Sequence, residues 1–169
     1  MKKITVFYGS TTGNTGSAAK AIAAALGDGA EARDVSGADA NAFSEPDVLV
    51  LGTSTWGVGD LQDDWVGALD ALKGARLAGK KVAVFGLGDQ NGFGDSFVDG
   101  MRDLYDAAIA AGGTVVGACA TDGYEFSESR AVVDGQFVGL VLDDDNQAGQ
   151  TDARIAAWVT QLKQELGMS

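Results

Sequence analysis

Short, nearly continuous apolar runs alternate along the chain with stretches in which apolar residues return every three or four positions. Residues 4–8 (Ile-Thr-Val-Phe-Tyr) form the first run and end at Gly9, the pattern of a buried strand. From 15 to 26, Ala19, Ile22 and Leu26 recur at helical spacing, and Gly27-Asp28-Gly29 stops the helix. Residues 31–35 read as a weaker, edge-like strand, and 36–45 as loop with room for a helical turn. A buried strand at 47–51 ends at Gly52; after a polar, glycine-rich loop, Trp65, Leu69 and Leu72 mark one face of a helix at 62–72. Residues 81–85 make another buried strand, followed by Gly86-Leu87-Gly88 and a loop, and Phe97, Met101, Leu104 and Ala108 fall in phase on a helix at 96–111. Strands at 114–118 and 137–142 flank a polar segment, 121–136, that follows neither period. Thr151 caps a last helix whose Ile155, Trp158, Val159, Leu162 and Leu166 form one apolar stripe.

Strands alternating with helices, and strands apolar on both faces, predict an α/β fold: a doubly wound parallel sheet of about five strands with helices on both faces. No linker, repeat or low-complexity segment divides the 169 residues, so a single domain spanning 1–169 is expected. An apolar content of 46% is that of an ordinary globular chain. No apolar run is long enough to span a bilayer, and Met1-Lys2-Lys3 passes directly into a strand with no secretion signal. The single cysteine, Cys119, makes no internal disulfide and fits a reducing cytoplasm; near the end of a strand it reads as a small core residue. The absence of histidine removes the commonest general base, the Ser-His nucleophile and most zinc sites, and no metal site is expected. Charge narrows the partners: 12 basic residues against 24 acidic ones give −12, which disfavours nucleic acid and anionic membranes. A basic protein partner suits this surface, and solubility alone accounts for it equally well.

Candidate chemistry gathers in three loops. In an open α/β sheet, ligands bind beyond the carboxyl ends of the strands where the strand order reverses; in a 2-1-3-4-5 order the loops after the first, third and fourth strands meet there. The first, Ser10-Thr11-Thr12-Gly13-Asn14-Thr15, lacks the Gly-Lys-Ser/Thr ending of nucleotide-hydrolase loops and carries no cation. Its hydroxyls, the Asn14 amide and the backbone N–H groups at a helix start suit a phosphate held by neutral donors; an ordinary capped turn is the plainer alternative. The second, residues 52–61, sets Trp56 after Ser54 and Thr55 and before Gly57-Val58-Gly59. Trp65 and Trp158 lie on apolar helix faces and read as core, whereas an indole in a glycine-rich loop can stack on a flat ring. The third, residues 86–95, offers Phe93 as another stacking face, and Asp89 either as an acceptor for a ring-edge N–H or as a turn residue.

At these residues the chain resembles a flavodoxin of the long-chain type. The resemblance rests on the 10–15 loop, on 55–59 with Leu61-Gln62-Asp63-Asp64-Trp65, on 86–90, on 121–126 and on 137–147, and it covers nearly everything from Lys3 to Leu166. It implies non-covalently bound FMN serving one-electron transfer at low potential between redox partner proteins, with no catalysis of its own. It also implies that the last strand is interrupted by an insertion, at about 121–136. The cofactor residues it implies are Ser10, Thr11, Thr12, Gly13, Asn14 and Thr15 for the phosphate, and Trp56 and Phe93 for the two faces of the ring. Asp89 with the neighbouring Leu87 and Gly88 backbone would serve the ring edge. Ser54, Thr55, Gly57, Val58, Gly59, Ser96 and Asp145 complete the contacts. Two departures stand out: the family usually has tyrosine where Phe93 stands, which removes a hydroxyl, and proline where Ser54 stands, which leaves the loop less rigid.

The expected tuning follows from the residue types. Glycine at 57 makes the Gly57-Val58 peptide easy to turn, so that its carbonyl can face a ring N–H formed on reduction. Asp60, Asp63, Asp64, Asp89 and Asp95 oppose added negative charge and lower the second potential. The same carboxylates form a docking surface for a basic redox partner, with steering that weakens with salt. A monomer is expected. The competing enzyme reading is an FMN-dependent NAD(P)H:quinone reductase of related fold, disfavoured because aromatics take both ring faces and the loops hold no arginine. A phospho-acceptor signalling domain is disfavoured because the first strand ends Phe7-Tyr8-Gly9-Ser10 without an acidic cluster.

Overall fold

The period-two alternation of β1 (Ile4–Tyr8) decides how the protein is layered. Ile4 and Val6 point to one side of the sheet and Phe7 to the other, and all are fully buried. The computed structural model describes residues 3–9, 14–27, 29–36, 38–56, 60–61, 63–88, 98–124, 126 and 129–167. β2 (Ala30–Asp34) and β3 (Val48–Trp56) lie parallel on either side of β1, and β5 (Lys81–Leu87) lies parallel beyond β3. The fifth position is shared by two short strands, both parallel to β5: β6 (Thr114–Val116) beside residues 81–83 and β10 (Leu140–Leu142) beside 85–87. The order is therefore β2-β1-β3-β5 with β6 and β10 sharing the last place, the doubly wound order with an interrupted last strand that the sequence predicts. β2 closes one edge with its side chains largely exposed.

Helices cover both faces. α1 (Asn14–Leu26) and α6 (Thr151–Glu165) bury Ile22, Trp158 and Leu162 against Val6, Val50, Phe85 and Leu142. On the other face, α2 (Ala40–Ser44), α3 (Asp63–Lys73) and α4 (Gly100–Ala110) bury Phe43, Trp65, Leu72 and Leu104 against Phe7, Leu51 and Val84. Each large apolar side chain removed from water in this way contributes about 1.5–3 kcal/mol. The Trp65 and Trp158 rings are core residues, and each indole N–H finds a carbonyl: Gly52 O at 2.6 Å and Gly117 O at 2.8 Å.

Several boundaries differ from the sequence reading. β3 and β5 continue through Gly52 and Gly86 instead of ending there. These glycines leave space for neighbours: a Cβ at Gly52 would lie 2.0 Å from the Phe85 ring and one at Gly86 2.3 Å from Met101 Cγ. α4 starts at Gly100, not 96, because Val98 holds a left-handed backbone (φ 49) that no α-helix accommodates; residues 96 and 97 lie outside the described residues. The insertion is wider than 121–136. β6 stops at Val116 because Gly117 (φ 86) turns the chain away, and Phe137 belongs to the insertion, not to the last strand. β7 (Cys119–Ala120), β9 (Gln136–Phe137) and β8 (Val132–Val133) form a separate antiparallel sheet. Its hairpin turns on Asp134 (φ 54) and Gly135 (φ 82), a two-residue connection with positive φ at both positions.

Candidate functional site

Parallel pairing brings the carboxyl ends of four strands to one edge. Tyr8 is in register with Gly52, Ser54 with Leu87, and Leu87 with Leu142. The segments leaving the sheet after these residues therefore emerge side by side. The chain passes from β1 to β2 on one side and returns to β3 on the other, so the strand order reverses between β1 and β3, the point at which open α/β sheets leave a crevice for ligands.

α1 begins at this crevice. The N–H groups of its first turn have no partner within the helix, and the positive end of the helix dipole lies there, both favourable to an anion. Thr15 lies in that turn and is buried. The Tyr8 ring sits so close to the helix start that a Cβ at Gly16 would lie 3.1 Å from Tyr8 Cε2. Below, the Gly52 carbonyl accepts hydrogen bonds from Gly9 N at 3.2 Å and from Trp65 Nε1 at 2.6 Å, tying β1, β3 and α3 into one floor. On the far side Gly88 N donates to Leu142 O at 3.1 Å. Asp143, fully buried, then caps α5 (Asp144–Gln147): Oδ1 accepts from Asn146 N at 3.0 Å and Oδ2 from Asn146 Nδ2 at 2.9 Å.

Of the residues expected at the site, Asn14 and Thr15 open α1, Gly88 leaves β5, and Asp145 lies in α5, all at this edge. Ser54, Thr55 and Trp56 belong to the end of β3 rather than to a loop. Thr55 pairs antiparallel with Leu61 and Trp56 with Asp60 of β4 (Asp60–Leu61), so Trp56 stands in a hairpin strand. Ladder bonds supply what a polar loop would have taken from water. The Leu87 side chain is buried in the core with Phe85 and Leu142. Ser10, Thr11, Thr12, Gly13, Gly57, Val58, Gly59, Asp89, Phe93 and Ser96 lie outside the described residues. Sequence reasoning missed Asp143, a buried carboxylate that only the register of β10 reveals as an internal cap. It also missed the insertion hairpin, although Asp134-Gly135 between Val132-Val133 and Gln136-Phe137 is a usable signal.

Two groups behind the crevice titrate far from neutrality. Burial pushes the Cys119 thiol from 9.0 up to about 11, so it is protonated and inert at pH 7, as its reading as a small core residue requires. Burial pushes the Tyr124 phenol from 10.0 up to about 12, with nearby Arg154 holding it back in part. In both cases the folded state keeps its proton more tightly than the unfolded chain. Stability from these groups is fully present below pH 9 and is lost as pH rises through about 9 to 12. Urea midpoints between pH 8 and 11.5 are expected to fall with pH, and Cys119→Ala and Tyr124→Phe each to flatten part of the slope.

The family model for flavodoxin matches residues 6–158. The chain belongs to the flavodoxin family. A flavodoxin from Picosynechococcus sp. is 46% identical over 170 residues, spanning 99% of this chain and 100% of the relative. One from Klebsiella pneumoniae is 44% identical, spanning 96% and 98%. Among solved structures, Fusobacterium nucleatum flavodoxin bound to flavin mononucleotide matches with a TM-score of 0.92 at 37% identity, covering 98% of this chain and 99% of that one. The resemblance seen in the loop motifs thus extends over the whole chain and its fold.

Proposed function

We propose that the chain holds FMN non-covalently in the crevice between β1 and β3 and works as a low-potential one-electron carrier between redox partner proteins, acting as a monomer in the cytoplasm. The observation that carries this is the α1 N-terminus opening at the switch point of a fold that superposes on an FMN-bound flavodoxin over nearly its whole length. When bound, FMN supplies a ring that accepts electrons one at a time.

The residues present fit such a group. The α1 N-terminus with 10–15 offers neutral donors to a phosphate. Ser54 and Thr55 on β3 and Asp145 on α5 belong to elements at the same edge and would serve the ribityl chain or the phosphate. Trp56 and Phe93 would flank the ring, with Gly57, Val58 and Gly59 as neighbouring contacts. The Leu87 and Gly88 backbone and Asp89 would serve its polar edge, and Ser96 is a further candidate contact. Asp60, Asp63, Asp64, Asp144 and Asp145 lie on elements at this edge, a charge pattern that orients a basic partner. Ile109, 48% exposed, is the one exposed large hydrophobic among the described residues, which supports a monomer. Among these residues no helix is long and apolar enough to cross a membrane.

The test is a visible spectrum during stepwise dithionite reduction of the FMN-loaded protein. The expected result is loss of the oxidised bands through a broad long-wavelength band at one electron, then bleaching. Bleaching in a single step, or rapid bleaching by NADPH alone, would favour a two-electron reductase. A protein that takes up no FMN would overturn the proposal.

A further inference from the structure

A closed circuit of contacts joins the end of the last strand to the helix behind it. Arg154 lies in the opening turns of α6, with its guanidinium carbon 4.2 Å from the centre of the Tyr124 ring. Its Nη1 donates to Gln147 Oε1 at 2.7 Å, and Nη2 donates to Gly123 O at 3.4 Å. Gln147 Nε2 donates to the same Gly123 carbonyl at 3.0 Å. The Tyr124 hydroxyl donates to Val141 O, within β10. From β10 the chain passes to Asp143, whose carboxylate caps α5, and α5 leads back to Gln147.

A helix of four residues has no stability of its own. α5 is held from inside by Asp143 and from outside by Gln147, which Arg154 and Gly123 grip in turn. Its backbone stands at the carboxyl edge next to Gly88, which bonds Leu142. Whatever fixes Gln147 therefore fixes Asp144, Asp145 and Asn146 beside the crevice.

We propose that Arg154 is a positioning residue for the cofactor site: stacked on Tyr124 and bonded to Gln147 and Gly123, it holds α5 ready for FMN. This rests on the FMN reading above. The planar fork is essential to the role, since one group must stack and donate in two directions at once. A lysine keeps the charge and loses that geometry. Without the fork, α5 keeps the Asp143 cap but loses the grip of Arg154, so more of its ordering falls to ligand binding and is subtracted from affinity.

The experiment titrates FMN into the apoproteins of wild type, Arg154→Lys, Arg154→Gln and Ile155→Val, and follows amide hydrogen exchange at 144–147 before FMN is added. Ile155 is the next residue on α6 and is buried in the core, away from the circuit. Its variant reports what loss of helix packing alone does. Both Arg154 variants are expected to bind FMN about tenfold more weakly, the loss of a hydrogen bond to a charged donor, and to exchange faster at 144–147. Ile155→Val is expected to lower Tm while binding within about twofold of wild type, as its volume change is small and remote. Wild-type affinity in Arg154→Lys, unchanged exchange at 144–147, or weakening in Ile155→Val equal to that in the Arg154 variants would each overturn the inference. Failure of the wild type itself to bind FMN would overturn the proposed function, and the cofactor role of Arg154 with it.

Discussion

Gly139→Ala is expected to destabilise the fold severely. A Cβ at this position would lie 1.7 Å from the Val84 carbonyl oxygen and 2.6 Å from its carbonyl carbon. Both are backbone atoms in the middle of β5, so no side chain can swing aside. Gly139 immediately precedes β10, and the close approach it permits lets Leu140 come into register with Phe85. Relief requires β10 to move off β5, which also displaces Asp143 and α5. A clash of this kind belongs with the largest single-residue effects, about 4 kcal/mol or more, against a total of about 5–15 kcal/mol for an ordinary domain. Thermal unfolding followed by circular dichroism is expected to shift down by roughly 10 °C or more. The matched control is Gly67→Ala in α3, where nothing lies within 4 Å of the added carbon. There the alanine removes glycine's backbone entropy and is expected to raise stability by about 0.5–1 kcal/mol. A Gly139→Ala protein as stable as wild type would refute the close approach of β10 to β5.

The second large effect is that of the ligand. A molecule that binds the folded state alone stabilises it by about 4.1 kcal/mol at a thousandfold its Kd. For a chain of 169 residues each kcal/mol moves Tm by about 2–4 °C. Apoprotein at that FMN concentration is therefore expected to melt about 8–16 °C higher than without it, and Tm is expected to keep rising with the logarithm of FMN concentration above saturation. Calorimetry at a series of FMN concentrations checks this. The gain has a local origin, because the carboxyl ends of four separate strands meet at this edge, and a ligand there ties them together. A Tm that ignores FMN would contradict the proposed function.

Much of the architecture was legible from residue periodicity. Runs such as 4–8 and 81–85 are apolar at every or nearly every position because helices cover both faces of the sheet, and Trp158, Val159 and Leu162 fall on one stripe because α6 touches the sheet along one side. The crevice was legible for a related reason. Small, hydroxyl-bearing and glycine residues following a buried strand have few uses other than a tight turn at a helix start, and α1 does begin at Asn14. The misreadings share a cause. Gly52 and Gly86 look like strand ends in sequence, yet each lies within a strand, because the missing Cβ is needed by a residue far along the chain, Phe85 or Met101. Trp56 looked like a loop residue because its partner, Asp60, belongs to a strand of two residues, too short to show any period.

What the sequence by itself determined is the main strands and helices, their parallel doubly wound arrangement and the family, since all three are written in local spacing and in motifs a few residues long. What only the tertiary structure decided is how distant pieces share one edge. The register of β6 and β10 on β5 is set only there, Asp143 is buried as the cap of α5, and Arg154 reaches Tyr124 and Gln147 at once. None of these has a local signature, because each depends on side chains brought together by closure of the sheet and not by their order along the chain.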